Sequence, residues 1–227
     1  MKLITHLFAG LLLLSTANAA HAASFLITLN TASLSGEETL AFSLTNGDGL
    51  ADNRIQLTNF NFGGGNPLAS PSDQGSGISG NLGAGITIKD SDFLELFSQP
   101  FKVGSSLSFD VTTTDAFGGG TPDGFLMYLC DATFTTCYSD DPLTDSLLSL
   151  QLTGSPLKTS DFVLFGATAQ GLNAPTVTSV PEPPAFFVGL AVVLGTALLG
   201  RLRPSKPPYS KNLMSLLAVS SCACTDA

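Results

Sequence analysis

The chain has 227 residues, a formal net charge of −9 at pH 7, two histidines and no tryptophan. Between residues 23 and 179 sixteen acidic and four basic residues give a formal charge of −12. A surface this acidic repels phosphate backbones, which argues against nucleic acid as a partner. Anionic polysaccharide is repelled as well, unless divalent cations bridge the charges.

Some residue types are scarce or missing beyond the first 22 residues. Both histidines, His6 and His21, lie within those 22. The remainder therefore lacks the imidazole needed for Ser-His-Asp or Cys-His catalysis and for a His-ligated metal site. Tyr128 and Tyr138 are the only tyrosines of the body. With tryptophan also absent, this scarcity argues against a strong lectin, because sugar rings stack on exposed aromatic faces.

The N-terminus has the features of an export signal. Lys2 precedes an apolar run over residues 7–14, and small residues then lead to an A-x-A site that ends at Ala22. We predict a signal peptide over residues 1–22, cleaved after Ala22, and export by the Sec route. An uncleaved N-terminal anchor is the alternative, but the apolar run is too short to span a bilayer comfortably.

The body, residues 23–170, consists of short segments in which apolar and polar residues alternate. Such alternation places every second side chain on one face of a strand. The apolar positions are Phe25, Ile27 and Leu29; Leu40, Phe42 and Leu44; Ile55 and Leu57; Ile86 and Ile88; Leu107, Phe109 and Val111; Phe125, Met127 and Leu129; Leu148, Leu150 and Leu152; and the run 162–165. Strands of this spacing, separated by Gly, Asn, Asp and Ser, predict an all-β fold, a β-sandwich with jelly-roll-like topology.

Three segments are predicted to lie outside the strands. Residues 70–85 are rich in Gly and Ser and predict a long surface loop. Residues 92–97 predict a short helix across one end of the sandwich. Residues 171–180, rich in Ala, Pro, Thr, Val and Ser, predict an extended tether between the domain and a membrane.

The C-terminal part predicts a membrane anchor. The 17 residues 184–200 carry no charge, and a helix of that length extends roughly 25 Å, the short end of the spanning range. Pro181 and Pro183 cannot continue a helix upstream, so the Pro-Glu-Pro tripeptide stays extended in front of it. Arg201 and Arg203 follow, and basic residues just past a span are retained in the cytoplasm. The body is then outside.

The succession Val180-Pro181-Glu182-Pro183, apolar helix and two arginines resembles the PEP-CTERM sorting signal of exported proteins of Gram-negative bacteria, over residues 181–203. The resemblance implies recognition by an exosortase, a membrane-embedded cysteine protease. It also implies a periplasmic body anchored in the inner membrane, later a cell-surface or extracellular form, and a role in the exopolysaccharide matrix. Our first hypothesis is therefore a non-enzymatic surface or matrix protein. Residues 204–227 extend beyond the usual end of this signal, as a cytoplasmic tail or a gene-end artefact.

Two stretches of the body resemble a group of PEP-CTERM ectodomains. Residues 40–49 match L-x-F-x-L-x-N/D-G-D-G, and residues 119–125 match G-G-T-P-D-x-F. This second resemblance supports export and fold, and it implies no catalytic residue.

One loop has the composition of a calcium site. Asn46, Asp48 and Asp52 are candidate ligands, because calcium prefers oxygen atoms at alternate positions of a Gly-containing loop. The loop is not an EF-hand, since Leu44 and Ile55 would occupy the first and twelfth positions, where carboxylates are required. A looser site would make the protein a calcium-dependent carbohydrate-binding module. A simple Asn-Gly or Asp-Gly hairpin turn is the alternative.

Two cysteines bracket a short segment of the body. Cys130 and Cys137 are predicted to form a disulfide in an oxidising periplasm. The alternative, a reactive thiol, lacks a histidine to activate it.

Carboxylates could catalyse glycoside hydrolysis without histidine. Asp110, Asp115, Asp123 and Asp131 are available, but their spacing singles out no pair. A glycoside hydrolase is therefore the least favoured hypothesis. We predict no catalytic residue, and no cofactor unless calcium binds.

Overall fold

The computed structural model of the chain describes residues 23–181. This part of the chain is all-β and contains two 3-10 turns, Thr159–Asp161 and Thr168–Gln170. No helix within it is long and apolar enough to cross a bilayer. The strands are β1 (Ala23–Asn30), β2 (Glu37–Thr45), β3 (Arg54–Asn61), β4 (Asn66–Pro67), β5 (Ser72–Gln74), β6 (Ile78–Asn81), β7 (Gly85–Lys89), β8 (Leu94–Lys102), β9 (Ser106–Thr113), β10 (Asp123–Asp131), β11 (Leu148–Leu152), β12 (Phe162–Leu164) and β13 (Thr176–Ser179).

The strands form two sheets, and every pair within them is antiparallel. The six-stranded sheet has the order β13-β1-β9-β3-β7-β6. The seven-stranded sheet has the order β12-β11-β10-β2-β8-β4, and β5 also pairs with β8. Several connections lead from one sheet to the other, and three of them are residues 46–53, 90–93 and 114–122. Hydrogen bonds join all three, so they lie at the same end of the two sheets.

The core lies between the two sheets and confirms the alternation read from the sequence. The apolar positions of the alternating segments named above are buried, whereas in the run 162–165 Phe162 is buried and Val163 is exposed. Phe42 of β2 stacks on Phe125 in its own sheet and meets the edge of Phe109 from the other sheet, with ring centroids 5.4 Å apart. Fully burying a side chain of this size contributes about 1.5–3 kcal/mol, so the buried faces of the predicted strands contribute strongly to stability.

The predicted tether, residues 171–180, is wrong in its last part. Residues 176–179 form β13, which pairs with β1, and the Val180 amide donates a 2.8 Å hydrogen bond to the Ser24 carbonyl. The stretch Thr-Val-Thr-Ser is β-branched, and Val177 packs against the core. The end of the described chain is therefore part of a sheet.

Two other local predictions also fail. Residues 92–97 are not helical, because β8 begins at Leu94 and its buried residues alternate with period two. The predicted loop 70–85 contains β5 and β6, which extend the two sheets at their edges. Both strands are short and mostly polar, so neither shows the apolar alternation by which strands are recognised.

Candidate functional site

Three buried polar side chains stand where the sheet-crossing connections meet. Asp90 follows β7 in the six-stranded sheet, and Asp123 is the first residue of β10 in the seven-stranded sheet. Each is 1% exposed, and Asn53, just before β3, is 2% exposed. A buried polar group must find hydrogen-bond partners, so these three side chains determine how the connections are arranged.

The Asp123 carboxylate holds the start of the β2–β3 connection. Its Oδ1 accepts hydrogen bonds from the amides of Gly47, at 2.7 Å, and Asp48, at 3.4 Å. Its Oδ2 accepts a 2.8 Å hydrogen bond from Asn53 Nδ2. A Cβ atom on Gly47 would collide with the carbonyl oxygen of Pro122, so only glycine allows this close approach.

The Asp90 carboxylate holds the end of the same connection. Its Oδ2 accepts hydrogen bonds from the amides of Asp52, at 3.2 Å, and Asn53, at 2.8 Å. The pKa of Asp90 is raised from 3.8 to about 6, mainly by burial and also by a hydrogen bond with the Asp123 carboxyl group, whereas the amide of Asn53 opposes the shift. Two carboxyl groups can share a hydrogen bond only when one is protonated, so the pair holds a proton at mildly acidic pH.

Three carboxylates at this end could ligate a metal ion. Oxygen atoms of Asp48, Asp52 and Asp123 lie within 4.8 Å of one another. Burial, followed by the charges of Asp48 and Asp123, raises the pKa of Asp52. Carboxylate oxygens suit a hard cation such as calcium. Backbone amides compete with the ion, because Asp48 Oδ1 accepts from Leu50 and Oδ2 accepts from Gly118, at 2.9 and 2.7 Å.

The three calcium ligands proposed from the sequence have different roles in the structure. Asp48 and Asp52 belong to the carboxylate cluster. The side chain of Asn46 holds the loop instead: its Nδ2 donates to the Asp90 carbonyl, and its Oδ1 accepts from the Gly49 amide. Sequence reasoning missed Asp123 as a partner of Asp48, although both lie in the stretches of the second resemblance.

The two predicted disulfide cysteines are bonded to each other. Cys130 and Cys137 form a disulfide that closes the hairpin after β10. Within this hairpin the Asp131 carboxylate accepts hydrogen bonds from the amides of Thr133, Thr135 and Thr136, each at 3.0 Å. These hydrogen bonds lower the pKa of Asp131 to about 2, so the carboxylate stays ionised.

Three of the four carboxylates considered for glycoside hydrolysis serve separate loops, and the fourth, Asp123, belongs to the cluster with Asp48 and Asp52. Asp110 accepts a hydrogen bond from Asn59 Nδ2 at 2.7 Å, and Asp115 accepts one from the Gly154 amide at 2.9 Å. Asp131 holds its own hairpin, as described above. The geometry therefore supports a structural role for each.

The described residues include only the first part of the sorting motif. Val180 and Pro181 lie within them, and both are exposed. Outside the described residues lie Glu182, Pro183, Arg201 and Arg203, together with the predicted signal peptide 1–22, the apolar segment 184–200 and the tail 204–227.

No family model, no curated protein and no solved structure matches this chain.

Proposed function

We propose that the chain is an exported, non-enzymatic surface or extracellular-matrix protein that is sorted by an exosortase. The observation that carries this proposal is the order of three elements: Pro181-Glu182-Pro183, seventeen uncharged residues 184–200, and the basic residues Arg201 and Arg203. A protease that binds an extended substrate strand at the membrane surface would find the tripeptide there, because its prolines exclude it from the helix.

The arrangement of the body supports this proposal. Its last strand, β13, ends at Ser179, and Val180 is still hydrogen bonded to Ser24. A cut next to Pro183 would therefore leave both sheets and the whole described core in the released part. A motif that overlapped a strand would make processing incompatible with a folded product.

The membrane part of the proposal follows from the same sequence. The signal peptide 1–22 would direct Sec export, and a transmembrane helix over residues 184–200 would hold the jelly-roll-like body on the periplasmic side of the inner membrane. After processing, the body would reach the cell surface or the exopolysaccharide matrix. Its formal charge of −12 favours uncharged matrix components over anionic ones.

Intact mass of the surface form tests the sorting proposal in a host that has an exosortase. We expect a chain that begins at Ala23 and ends near Pro183, because the apolar segment cannot leave the bilayer with a soluble domain. Glu182→Ala should leave the protein exported, anchored and uncut. Glu37→Ala, at an exposed glutamate of β2, should be processed normally. A surface form that retains residues 184–200 would contradict the proposal.

A second candidate function is a calcium-dependent carbohydrate-binding module. The observation that favours it is the convergence of Asp48, Asp52 and Asp123 at the end of the sandwich. A cation bound there would neutralise three neighbouring carboxylates and offer coordination to sugar hydroxyls. Calcium would then raise the melting temperature of the protein.

A further inference from the structure

A groove crosses the outer face of the seven-stranded sheet. Phe42 and Leu44 of β2 point into the core, so Ser43 and Thr45 between and beyond them point outward. In the register of the sheet Ser43 lies opposite Leu96 of β8 and Leu126 of β10, and these side chains form the floor. The groove therefore has apolar and hydroxyl groups side by side.

The groove consists of two adjoining cavities. Their volumes are about 290 and 400 Å³, which reaches the size range of small-molecule sites. Thr45, Leu126 and Thr144 line both cavities, so the two continue into each other. The first extends over β8, and the second extends over β11 as far as Gln151.

Two exposed phenylalanines mark this groove. Phe134 lines the first cavity and is 38% exposed, and Phe93 lines the second and is 75% exposed. Large apolar side chains exposed on an acidic surface indicate a binding surface when they line one groove. The scarcity of tyrosine and tryptophan therefore does not exclude sugar binding, because these phenylalanines provide exposed aromatic faces on which sugar rings can stack.

Two residues in the wall of the first cavity are held in an unusual backbone conformation. Phe134 and Asp145 both adopt the left-handed conformation, with φ of 55°, and both line this cavity. Such a conformation is unfavourable in a residue other than glycine and persists only where the surroundings enforce it. The Cys130–Cys137 disulfide and the Asp131 carboxylate enforce it in the hairpin that carries Phe134. A ligand would thus meet an aromatic face that is already positioned.

Charge selects among the ligands that could lie there. Among the described residues that line the two cavities, Asp145 is the one that is charged, and none is a lysine or an arginine. An anionic chain would be repelled by Asp145 and by the acidic body around it. A peptide strand would need an unpaired sheet edge, and the floor of this groove is the face of paired strands. An uncharged sugar chain matches the groove, since its rings have apolar faces and hydroxyl edges.

We propose that this groove binds an uncharged polysaccharide, with sugar rings stacked on Phe134 and Phe93 and hydroxyl groups hydrogen bonded to Thr45, Thr144 and Gln151. Polysaccharide binding would specify the proposed matrix role, and it rests on that role in one respect: the protein must be exported to meet polysaccharide outside the cytoplasm. It requires neither calcium nor the carboxylate cluster of Asp48, Asp52 and Asp123.

Affinity electrophoresis tests the proposal with the exported chain, purified in detergent. The gels contain dextran, galactomannan, a soluble β-glucan, the neutral polysaccharide of the producing cells or, as the anionic comparison, alginate, all with EDTA. We expect at least one neutral polymer to retard the protein. Phe134→Ala and Phe93→Ala should each weaken the binding about tenfold, the loss expected for one stacked ring. Phe117→Ala is the matched control, because Phe117 is 39% exposed and lines neither cavity.

Several outcomes would overturn the proposal. They are no retardation by any neutral polymer, retardation by alginate alone, an equal loss in Phe117→Ala, binding of an extended apolar peptide in place of sugar, or a dimer that Phe134→Ala dissociates. Intact mass reports processing independently. A chain that binds polysaccharide but is never cut contradicts the sorting proposal and supports the groove proposal. A chain that is cut but does not bind polysaccharide supports the sorting proposal and contradicts the groove proposal.

Discussion

Asn53 Nδ2 donates a 2.8 Å hydrogen bond to Asp123 Oδ2, and with this bond two buried side chains join the two sheets at one end of the sandwich. The rest of the Asn53 amide is also engaged. Its Nδ2 donates to the Ala116 carbonyl, and its Oδ1 accepts from the Ala116 amide and the Thr114 hydroxyl. Asn53 therefore links the 46–53 connection, to which it belongs, with the 114–122 connection and β10.

Replacing Asn53 should be strongly destabilising. Asn53→Ala leaves Asp123 Oδ2 and the backbone groups of Ala116 without these partners, so we expect the free energy of unfolding to fall by about 2–4 kcal/mol. Asn66→Ala is the control, because Asn66 is exposed and its side chain bonds only to the neighbouring Pro67 carbonyl. Urea denaturation of both variants gives the comparison. Equal losses would show that the Asn53 network contributes no more than a surface amide.

The Asp90 carboxyl group should make stability fall as pH rises. Its pKa in the folded state is about 6, above the 3.8 of an ordinary Asp, so the folded state binds the proton more tightly than the unfolded state. The stabilising effect of this proton is complete below about pH 4 and is lost as pH rises through 6.

Asp90→Asn tests this pH dependence. The amide resembles the protonated carboxyl group: its oxygen can accept from the Asn53 amide, and its nitrogen can donate to Asp123. We expect the urea midpoint at pH 7 to rise and the decline between pH 4 and 6 to become shallower. Asp161→Asn, at an exposed turn, should leave that decline unchanged. A steeper decline in Asp90→Asn would mean that the charged form is the one the fold prefers.

The fold was largely predictable because most of its long strands show which of their two faces is buried by the alternation of apolar and polar residues. Apolar residues at every second position, as in Leu107, Phe109 and Val111, can be buried together only on a strand. The strand β13 was missed because it is an edge strand with one apolar residue, Val177, among Thr and Ser. Its pairing with β1 brings together residues about 150 positions apart, and no local pattern shows that.

The candidate cation site was predictable only in its local part. Asp48 and Asp52 are close in sequence and were recognised as potential ligands. Asp123 joins them, and Asp90 holds the Asp52 amide, because connections between the sheets meet at the same end, and this depends on the strand order of both sheets. The groove was not predictable either. Its floor is formed by residues on the outer face of the strands, between the core residues, and these are partly polar and partly apolar, so they show no pattern of their own.

The disulfide should stabilise the body modestly. Cys130 and Cys137 close a short loop, for which the loss of unfolded-state entropy predicts about 2 kcal/mol. We expect thiol titration of the unfolded, unreduced, processed chain to find no free thiol. Reduction should lower the free energy of unfolding by about 2 kcal/mol, and the double variant Cys130→Ala/Cys137→Ala should not respond to the reductant. Two reactive thiols per processed chain would contradict the disulfide.

Calcium should stabilise the protein if the carboxylate cluster is a binding site. A ligand that binds only the native state at 100 times its Kd contributes about 2.7 kcal/mol, which raises the melting temperature of a domain of this size by roughly 5–10 °C.

Asp52→Asn is the most informative variant, because Asp52 is exposed whereas Asp48 and Asp123 also accept hydrogen bonds from backbone amides. Without calcium it should be as stable as the parent or slightly more so, since one of three neighbouring negative charges is gone. With calcium its melting temperature should no longer rise, while that of Asp92→Asn, an exposed carboxylate outside the cluster, should rise as the parent does. If the melting temperature of the parent protein is the same in millimolar calcium and in EDTA, the cluster does not bind calcium. Its carboxylates then only hydrogen bond the loops to one another.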